Sequence, residues 1–150
     1  MSDGFRRVFH AGWGTMDFNA HMANRAYLDM AADARMMFFE ANGFSMREFE
    51  RLGVGPVVRR DELDYFREVR LLEPVTVELL LAGLSPDASR MKLRNIFYRP
   101  DGEKAAVLTS FGGWLDLRER HLIAPPERLR DVLASTPRTE DFETLPAVNR

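Results

Sequence analysis

The stretch that decides the fold is WGTMDFNAHMANRAYL, residues 13–28. It gathers an acid, two asparagines, a histidine and a tyrosine around small alanines, and it runs without a break into a segment rich in Met and Phe. Short polar side chains of this kind cap the start of a helix. Acids and histidines are also the groups that acid–base catalysis uses. The stretch is therefore either a helix cap or a candidate active site.

A long helix is predicted directly after these polar residues. Apolar residues recur at helical spacing over about residues 23–42. Only one narrow row of this helix is polar, and it consists of Arg25, Asp29 and Asp33. Apolar side chains extend around most of the remaining circumference, so we expect the helix to be enclosed by other elements rather than laid on a surface. Gly43 supplies the left-handed residue that ends it.

The other segments predict one strand before the long helix and a run of strands after it. The strand candidates are residues 6–13, 55–69, 74–84, 89–99 and 103–120. Turn-forming residues at 85–89 and 99–103 predict that the last three strands form an antiparallel meander. Ser45 and Glu48 match a capping box for a short second helix, and Pro125 begins a closing helix. An α+β domain, with an antiparallel sheet curled around the long helix, satisfies this order.

The predicted domain organisation is simple. A chain of 150 residues is within the size of one compact domain, which we place at residues 1–135. Residues 136–150 are predicted to be a polar C-terminal tail that does not need a fixed structure. The pair Gly112 and Gly113 predicts a bulge or bend in the last strand of the meander.

Composition excludes several classes of function. With 45% hydrophobic residues, 29% charged residues and a net charge of -2, the sequence is typical of a soluble globular protein and gives no reason to expect a nucleic acid partner. It contains no apolar run of membrane-spanning length and no secretion signal, so we expect a cytoplasmic protein without a membrane partner. The absence of cysteine removes thiolate chemistry, and three dispersed histidines give no support for a metal site.

The opening motif, followed by this order of elements, resembles the hotdog-fold acyl-CoA thioesterases of the 4-hydroxybenzoyl-CoA thioesterase type. The family pattern Asp-x-Asn-Gly-His-Met-Asn-Asn-x-x-Tyr falls here on Asp17, Asn19, Ala20, His21, Met22, Ala23, Asn24 and Tyr27. Two positions depart from it: Ala20 stands where Gly is usual, and Ala23 stands where the first Asn of the pair is usual. The resemblance implies a hotdog fold, in which the sheet wraps around the long helix.

The resemblance also implies roles for residues of the motif. Asp17 is expected to activate water or to attack the thioester carbonyl itself, and the family leaves both possibilities open. Backbone N–H groups near Ala23 and Asn24 are expected to polarise that carbonyl, with the helix dipole behind them. His21 and Asn24 would orient the acid, the water or the loop, and Asn19 is the fourth catalytic residue that the resemblance implies. One turn inside the helix, Tyr27 would line the acyl pocket.

The substrate implied by the resemblance is an acyl-CoA, so no separate cofactor is expected. Basic side chains near strand ends hold the nucleotide of CoA in this family, which makes Arg90 and Lys92 the first candidates, followed by Arg59. The acyl group is expected to be aromatic or of medium chain length, and a carrier-protein thioester is an alternative. A sheet with a free edge strand predicts a homodimer joined edge to edge, or a dimer of dimers.

Two other functions fit the same fold. One is a hotdog enoyl-CoA hydratase, whose pattern Asp-x-Asn-Pro-Leu-His places the histidine five residues after the acid, whereas His21 is four residues after Asp17. The other is a non-catalytic acyl-CoA binding module. The retained acid and the thioesterase-like spacing favour the thioesterase.

Overall fold

The structure is a computed structural model that describes residues 4–148. The described helices are α1 (Asn24–Ala41), α2 (Met46–Leu52) and α3 (Glu127–Ala134), with one short 3-10 turn at Trp13–Thr15. The described strands are β1 (Phe5–His10), β2 (Val54–Tyr65), β3 (Pro74–Leu84), β4 (Arg90–Tyr98), β5 (Lys104–Asp116), β6 (Leu122–Ile123) and β7 (Arg138–Thr144). This order, with one strand before the long helix and the meander after it, agrees with the prediction.

The strands form one sheet, in the order β1-β3-β4-β5-β2. Neighbours along this path are antiparallel, and the short β6 adds to β5 in the same sense. Two tight turns, at 85–89 and 99–103, connect β3 to β4 and β4 to β5, which confirms the predicted meander. Strand β2 pairs with β5 on one side only, so it stands at an edge of the sheet described here.

The C-terminal segment corrects one prediction. Residues 136–150 were expected to be a tail without fixed structure, but Arg138–Thr144 form β7, which pairs in parallel with β3. Strand β7 pairs with β3 between Leu81 and Leu84. Strand β1 pairs with the same edge of β3 only as far as Leu79. The domain therefore extends past residue 135, because β3 is longer than β1 and its free edge accepts a second strand. Residues 149–150 lie outside the described part.

The core lies between α1 and the sheet. Near the start of α1, Tyr27, Met30 and Ala31 pack with sheet residues that include Phe97 and Leu108. Near its end, Phe38 and Phe39 belong to a second cluster, built with Trp114, which is fully buried, and with side chains of α2 and α3. The two clusters fix the helix along its whole length and therefore fix the position of its first residue.

Helix α1 is not enclosed in the single chain, which corrects a second prediction. The sheet covers one face, while on the other Leu28 is 38% exposed and Met37 is 41% exposed. Because a sheet meets a helix from one side only, these apolar residues on the other face remain without a cover among residues 4–148.

Helix ends follow the predicted local chemistry. The hydroxyl of Ser45 accepts a hydrogen bond from the N–H of Glu48, 3.2 Å away, at the start of α2. Gly43 has a φ of +90° just after α1. The bulge predicted in β5 lies instead on the facing strand, because the register shifts between Val58 and Arg60 opposite Gly112. A Cβ at Gly112 would lie 2.1 Å from the carbonyl oxygen of Val57, so glycine permits this close approach.

Candidate active site at the start of helix α1

A tight turn precedes α1. Met16 and Met22 form an isolated antiparallel bridge, and inside it the N–H of Asp17 donates to the carbonyl of His21 at 2.8 Å. Ala20 has a φ of 62°, in the left-handed region that favours glycine. The turn therefore has the backbone that the family's Gly would adopt readily, and here an alanine adopts it with strain.

The carboxylate of Asp17 holds this turn together. Its Oδ1 accepts hydrogen bonds from the N–H of Asn19 at 2.9 Å and from that of His21 at 3.1 Å. Asp17 is an exposed residue, but it lines a cavity of about 300 Å³ together with Asn24 and Tyr27. The carboxylate thus stands at the surface mouth of the cavity rather than in a closed pocket.

Asp17 and Asn19 do not cap the helix, so the helix-cap explanation of the motif fails. The N-cap of α1 is Ala23, and no side chain of the described residues caps this end. The N–H of Ala23 donates to the carbonyl of Thr15 at 2.7 Å, so this amide, expected to be available, is already engaged. Because the first residues of a helix have no intrahelical acceptor, the amides of Asn24 and Arg25 remain as donors at the positive end of the helix dipole.

His21 has a partner that sequence reasoning missed. Its Nε2 lies 2.6 Å from Oε2 of Glu68, in the loop between β2 and β3. The other oxygen of Glu68 accepts from Nη2 of Arg70 at 2.8 Å. The hydrogen bond from Arg70 and the nearby His21 hold the pKa of Glu68 below its ordinary value. Nothing in the motif marks Glu68, because the contact depends on the path of the chain after β2.

Tyr27 forms the inner wall of the cavity. It is only 2% exposed, and its ring makes edge-to-face contacts with Tyr65 and Phe97 at centroid distances of 5.3 Å and 5.2 Å. Burial, supported by the neighbouring Tyr65 and Asp17, raises the pKa of Tyr27 to about 12. The phenol is therefore protonated at neutral pH and does not act as a base there.

The structure brings together four of the residues named from sequence, Asp17, His21, Asn24 and Tyr27, around one cavity. Asn19 takes part through its backbone N–H. Ala23 is 5% exposed, and its contribution is the N-cap position.

The three basic residues named for CoA lie elsewhere in the single chain. Arg59 is six residues before Tyr65 on β2, which is about 20 Å along a strand. Arg59 and Arg90 line a separate cavity of about 400 Å³. The Nζ of Lys92 lies 3.3 Å from Oε1 of Glu143 on β7. Within one protomer, none of these three lines the cavity that contains Asp17.

Other basic residues do adjoin the site. A second cavity, of about 550 Å³, shares Glu68 and Arg67 with the first and is also lined by Arg70 and Arg99. Each of the three arginines has a carboxylate partner, in the pairs Arg67–Glu103, Arg70–Glu68 and Arg99–Glu73. These arginines lie on the irregular segment after β2 and at the end of β4, where no sequence pattern predicts a binding role.

Two kinds of feature are absent from the described residues. Between residues 4 and 148, no three His, Asp or Glu side chains are grouped so that they would hold a metal ion. Over the same part of the chain, no helix has the length and apolar character needed to cross a membrane.

Comparison with known proteins agrees with this fold. The sequence model of the thioesterase-like superfamily matches residues 11–133, and the chain belongs to that superfamily. Similar solved structures include a hypothetical protein from Staphylococcus aureus in complex with CoA, with 21% identity, a TM-score of 0.80, and coverage of 99% of this chain and 98% of that one. The sequence comparison with curated proteins gives no match.

Two further similar structures are thioesterases. A 1,4-dihydroxy-2-naphthoyl-CoA thioesterase from Synechocystis has 14% identity and a TM-score of 0.77, over 87% of this chain and 96% of that one. A DHNA-CoA thioesterase from Staphylococcus aureus has 16% identity and a TM-score of 0.78, over 86% of this chain and 87% of that one. These likenesses confirm the predicted hotdog fold.

Proposed function

We propose that this protein is an acyl-CoA thioesterase of the cytoplasm, which hydrolyses the thioester of an acyl-CoA to the free acid and CoA. One observation carries the proposal: the carboxylate of Asp17 and the first residue of α1, Asn24, line the same cavity of about 300 Å³. A thioester carbonyl bound there meets an acid on one side and amide donors on the other. Membership of the thioesterase-like superfamily supports the same chemistry.

The reaction uses the start of α1 to stabilise charge. As a nucleophile adds to the carbonyl carbon, the carbonyl oxygen becomes negative and accepts hydrogen bonds from the amides of Asn24 and Arg25. These donors are fixed by the helix, so they need no rearrangement when the charge develops. When the tetrahedral intermediate collapses, the carbon–sulfur bond breaks and CoA leaves as its thiolate, which takes up the proton that the hydrolytic water gives up.

Asp17 supplies the nucleophile by one of two routes. Either its carboxylate takes a proton from water, which attacks the carbonyl, or it attacks the carbonyl itself and the resulting anhydride is hydrolysed. Both hydrogen bonds to Asp17 end on Oδ1, which leaves Oδ2 for the water or the acyl carbon. His21 positions the turn through its N–H, and its side chain, paired with Glu68, lines the same cavity.

The CoA moiety is the only organic cofactor that the proposal requires, and it arrives as part of the substrate. The adjoining guanidinium groups of Arg67, Arg70 and Arg99 are the basic groups nearest to the site for its phosphates. The phosphates would be bound by Arg59, Arg90 and Lys92 only if a second protomer brought these residues to the site. The complex of the similar Staphylococcus aureus protein with CoA supports a CoA ligand. Aromatic and medium-chain acyl groups remain the proposed substrates.

The proposed assembly is a homodimer, or a dimer of dimers. Strand β2 has an unpaired edge, and Leu28 and Met37 on α1 are exposed beside the sheet. A second copy that extends the sheet at β2 would cover both features and place the two sites near the interface. Light scattering on the purified protein tests this proposal, and a monodisperse monomer would contradict it.

A panel of acyl-CoAs with colorimetric detection of free thiol tests the activity. Hydrolysis releases thiol with aromatic or medium-chain acyl-CoAs. A hydratase would remove the enoyl absorbance without releasing thiol, and a binding module would bind acyl-CoA and do neither. Either of these last two results would overturn the thioesterase proposal.

A further inference from the structure

The imidazole of His21 lies in the cavity at the start of α1 with one of its two nitrogens engaged. Its Nε2 is 2.6 Å from Oε2 of Glu68, and both side chains line the cavity. Two lone pairs would repel each other at this distance, so Nε2 carries a hydrogen. In the neutral ring the lone pair is then on Nδ1. No residue between 4 and 148 forms a hydrogen bond with Nδ1, so the cavity contains a basic nitrogen without a partner in the described chain.

Glu68 is held in place on both sides of its contact with His21. Its Oε1 accepts hydrogen bonds from Nη2 of Arg70 at 2.8 Å and from Nε of the same side chain at 3.2 Å. The carbonyl of the next residue, Val69, accepts from the N–H of Met22 at 2.8 Å, and both of these residues are buried. The backbone beside Glu68 is thus bonded to the backbone beside His21. The loop after β2 therefore sets which nitrogen of the imidazole is protonated.

Asp17 and His21 are suited to different halves of an acyl transfer. They belong to one turn, because the N–H of His21 donates to Oδ1 of Asp17 at 3.1 Å. A carboxylate can attack a thioester and form an anhydride, and both hydrogen bonds to Asp17 leave Oδ2 for that attack. An imidazole is better matched than a carboxylate to take a proton from water near neutral pH. Nucleophile and base are therefore available as two separate groups.

We propose that Asp17 is the nucleophile and that His21, positioned by Glu68, is the base that activates water for hydrolysis of the anhydride. The inference rests on the proposed thioesterase function and selects one of its two routes. In the first half, Oδ2 of Asp17 attacks the acyl carbon, the carbon–sulfur bond breaks, and its electron pair leaves with sulfur as the CoA thiolate.

Water completes the reaction in the second half. Its oxygen adds to the acyl carbon of the anhydride while one of its protons passes to Nδ1 of His21. The bond from the acyl carbon to Oδ2 then breaks, which frees the acid and restores the carboxylate of Asp17. The imidazolium gives its proton to the CoA thiolate. While the ring is charged, the carboxylate of Glu68 stabilises it, and Glu68 itself is a positioning residue that needs no contact with the substrate.

The test uses His21→Gln, which keeps the backbone N–H that binds Asp17 but removes the base. Acylation of Asp17 should persist, so excess acyl-CoA should give a rapid burst of about one thiol per chain, followed by turnover about 100-fold slower than in the wild type. Because kcat/KM reports the steps up to thiol release, kcat and KM should fall together and kcat/KM should stay within about twofold. Adding Asp17→Asn to this variant should abolish the burst.

Glu68→Gln tests the positioning role. It should lower kcat and KM by about tenfold each and leave kcat/KM unchanged. In the His21→Gln background the same substitution should change kcat by less than about twofold, because Glu68 acts through His21. General damage to the cavity would instead slow acylation and lower kcat/KM in both backgrounds. Glu50→Gln, at an exposed position on α2, is the control and should show neither a burst nor a change in kcat.

These measurements separate the inference from the proposed function. Thiol turnover by the wild type, with no burst in His21→Gln or with a loss carried by kcat/KM, leaves the thioesterase function standing and overturns the assignment of His21. A loss in Glu68→Gln that is equally large with and without His21 overturns the positioning role. No thiol release by the wild type from any acyl-CoA would overturn the proposed function, and the inference with it.

Discussion

The Nε2 of His21 and the Oε2 of Glu68 are 2.6 Å apart, and this contact joins the turn before α1 to the loop after β2. Glu68 is held in turn by Arg70, whose Nη2 lies 2.8 Å from its other oxygen. The orientation of the imidazole therefore depends on a chain of three side chains from two separate segments. Positioning of this kind around a catalytic group is fixed by tertiary structure and not by the motif itself.

Glu68→Gln should lower stability at neutral pH and have less effect in acid. The pKa of Glu68 is lowered in the folded protein, so its ionised form stabilises the fold above its ordinary pKa, and that contribution is lost as the pH falls through the lowered folded value. The difference in Tm between wild type and variant should therefore shrink below about pH 4. Thermal unfolding across a pH series measures it, with Glu50→Gln on α2 as the exposed control. A Tm difference that stays constant into acid would contradict the prediction.

Asp17→Asn should lower turnover by about 100-fold or more without unfolding the protein. The asparagine retains an oxygen that accepts from the N–H groups of Asn19 and His21, so the turn is expected to persist. It loses the basicity and the nucleophilicity of the carboxylate. Steady-state thiol release gives kcat, and unfolding curves check the fold.

The control for this variant is Asp29→Asn, at an exposed position on α1. It removes the same charge from the same region and should leave kcat unchanged. Turnover like that of the wild type in Asp17→Asn would remove Asp17 from the mechanism.

The sequence predicted the parts of the fold that rest on local pattern. The periodicity of α1 gave Asn24–Ala41 to within one residue at each end, because Ala23 and Asn42 are where the pattern stops. The turns at 85–89 and 99–103 carry their own chemistry in Pro, Asp, Ser and Gly, and so the meander was predictable. These features need no knowledge of distant contacts.

Other parts depended on distant contacts and were missed. Strand β7 is too polar to be recognised, since its charged residues face solvent and Phe142 is its one large apolar side chain. The segment becomes a strand only because β3 offers a free edge beside it. Glu68 was missed for a similar reason, because its contact with His21 depends on the path of the chain after β2.

Ala20→Gly should stabilise the protein by about 0.5 kcal/mol. Alanine at a φ of 62° carries strain of about 1 kcal/mol, while glycine adopts this angle freely at the cost of a more flexible unfolded chain. Chemical denaturation measures the gain. Ala32→Gly, in the interior of α1, makes the same substitution at a helical backbone angle and should instead destabilise by about 1 kcal/mol. Destabilisation by Ala20→Gly would show that the turn does not strain alanine.

Phe142→Ala should destabilise the protein by about 2 kcal/mol, less than the loss for a fully buried phenylalanine. Phe142 is half-buried and packs against the core cluster at the far end of α1, and the guanidinium of Arg138 lies 4.0 Å from the centre of its ring. The substitution removes the one large side chain that ties β7 to the core. Chemical denaturation measures the loss, and Glu140→Ala, at an exposed position on the same strand, should change stability by less than about 0.5 kcal/mol. If Phe142→Ala were as mild as Glu140→Ala, residues 138–144 would behave as the polar tail that their composition suggests, and the pairing of β7 with β3 would contribute nothing to the fold.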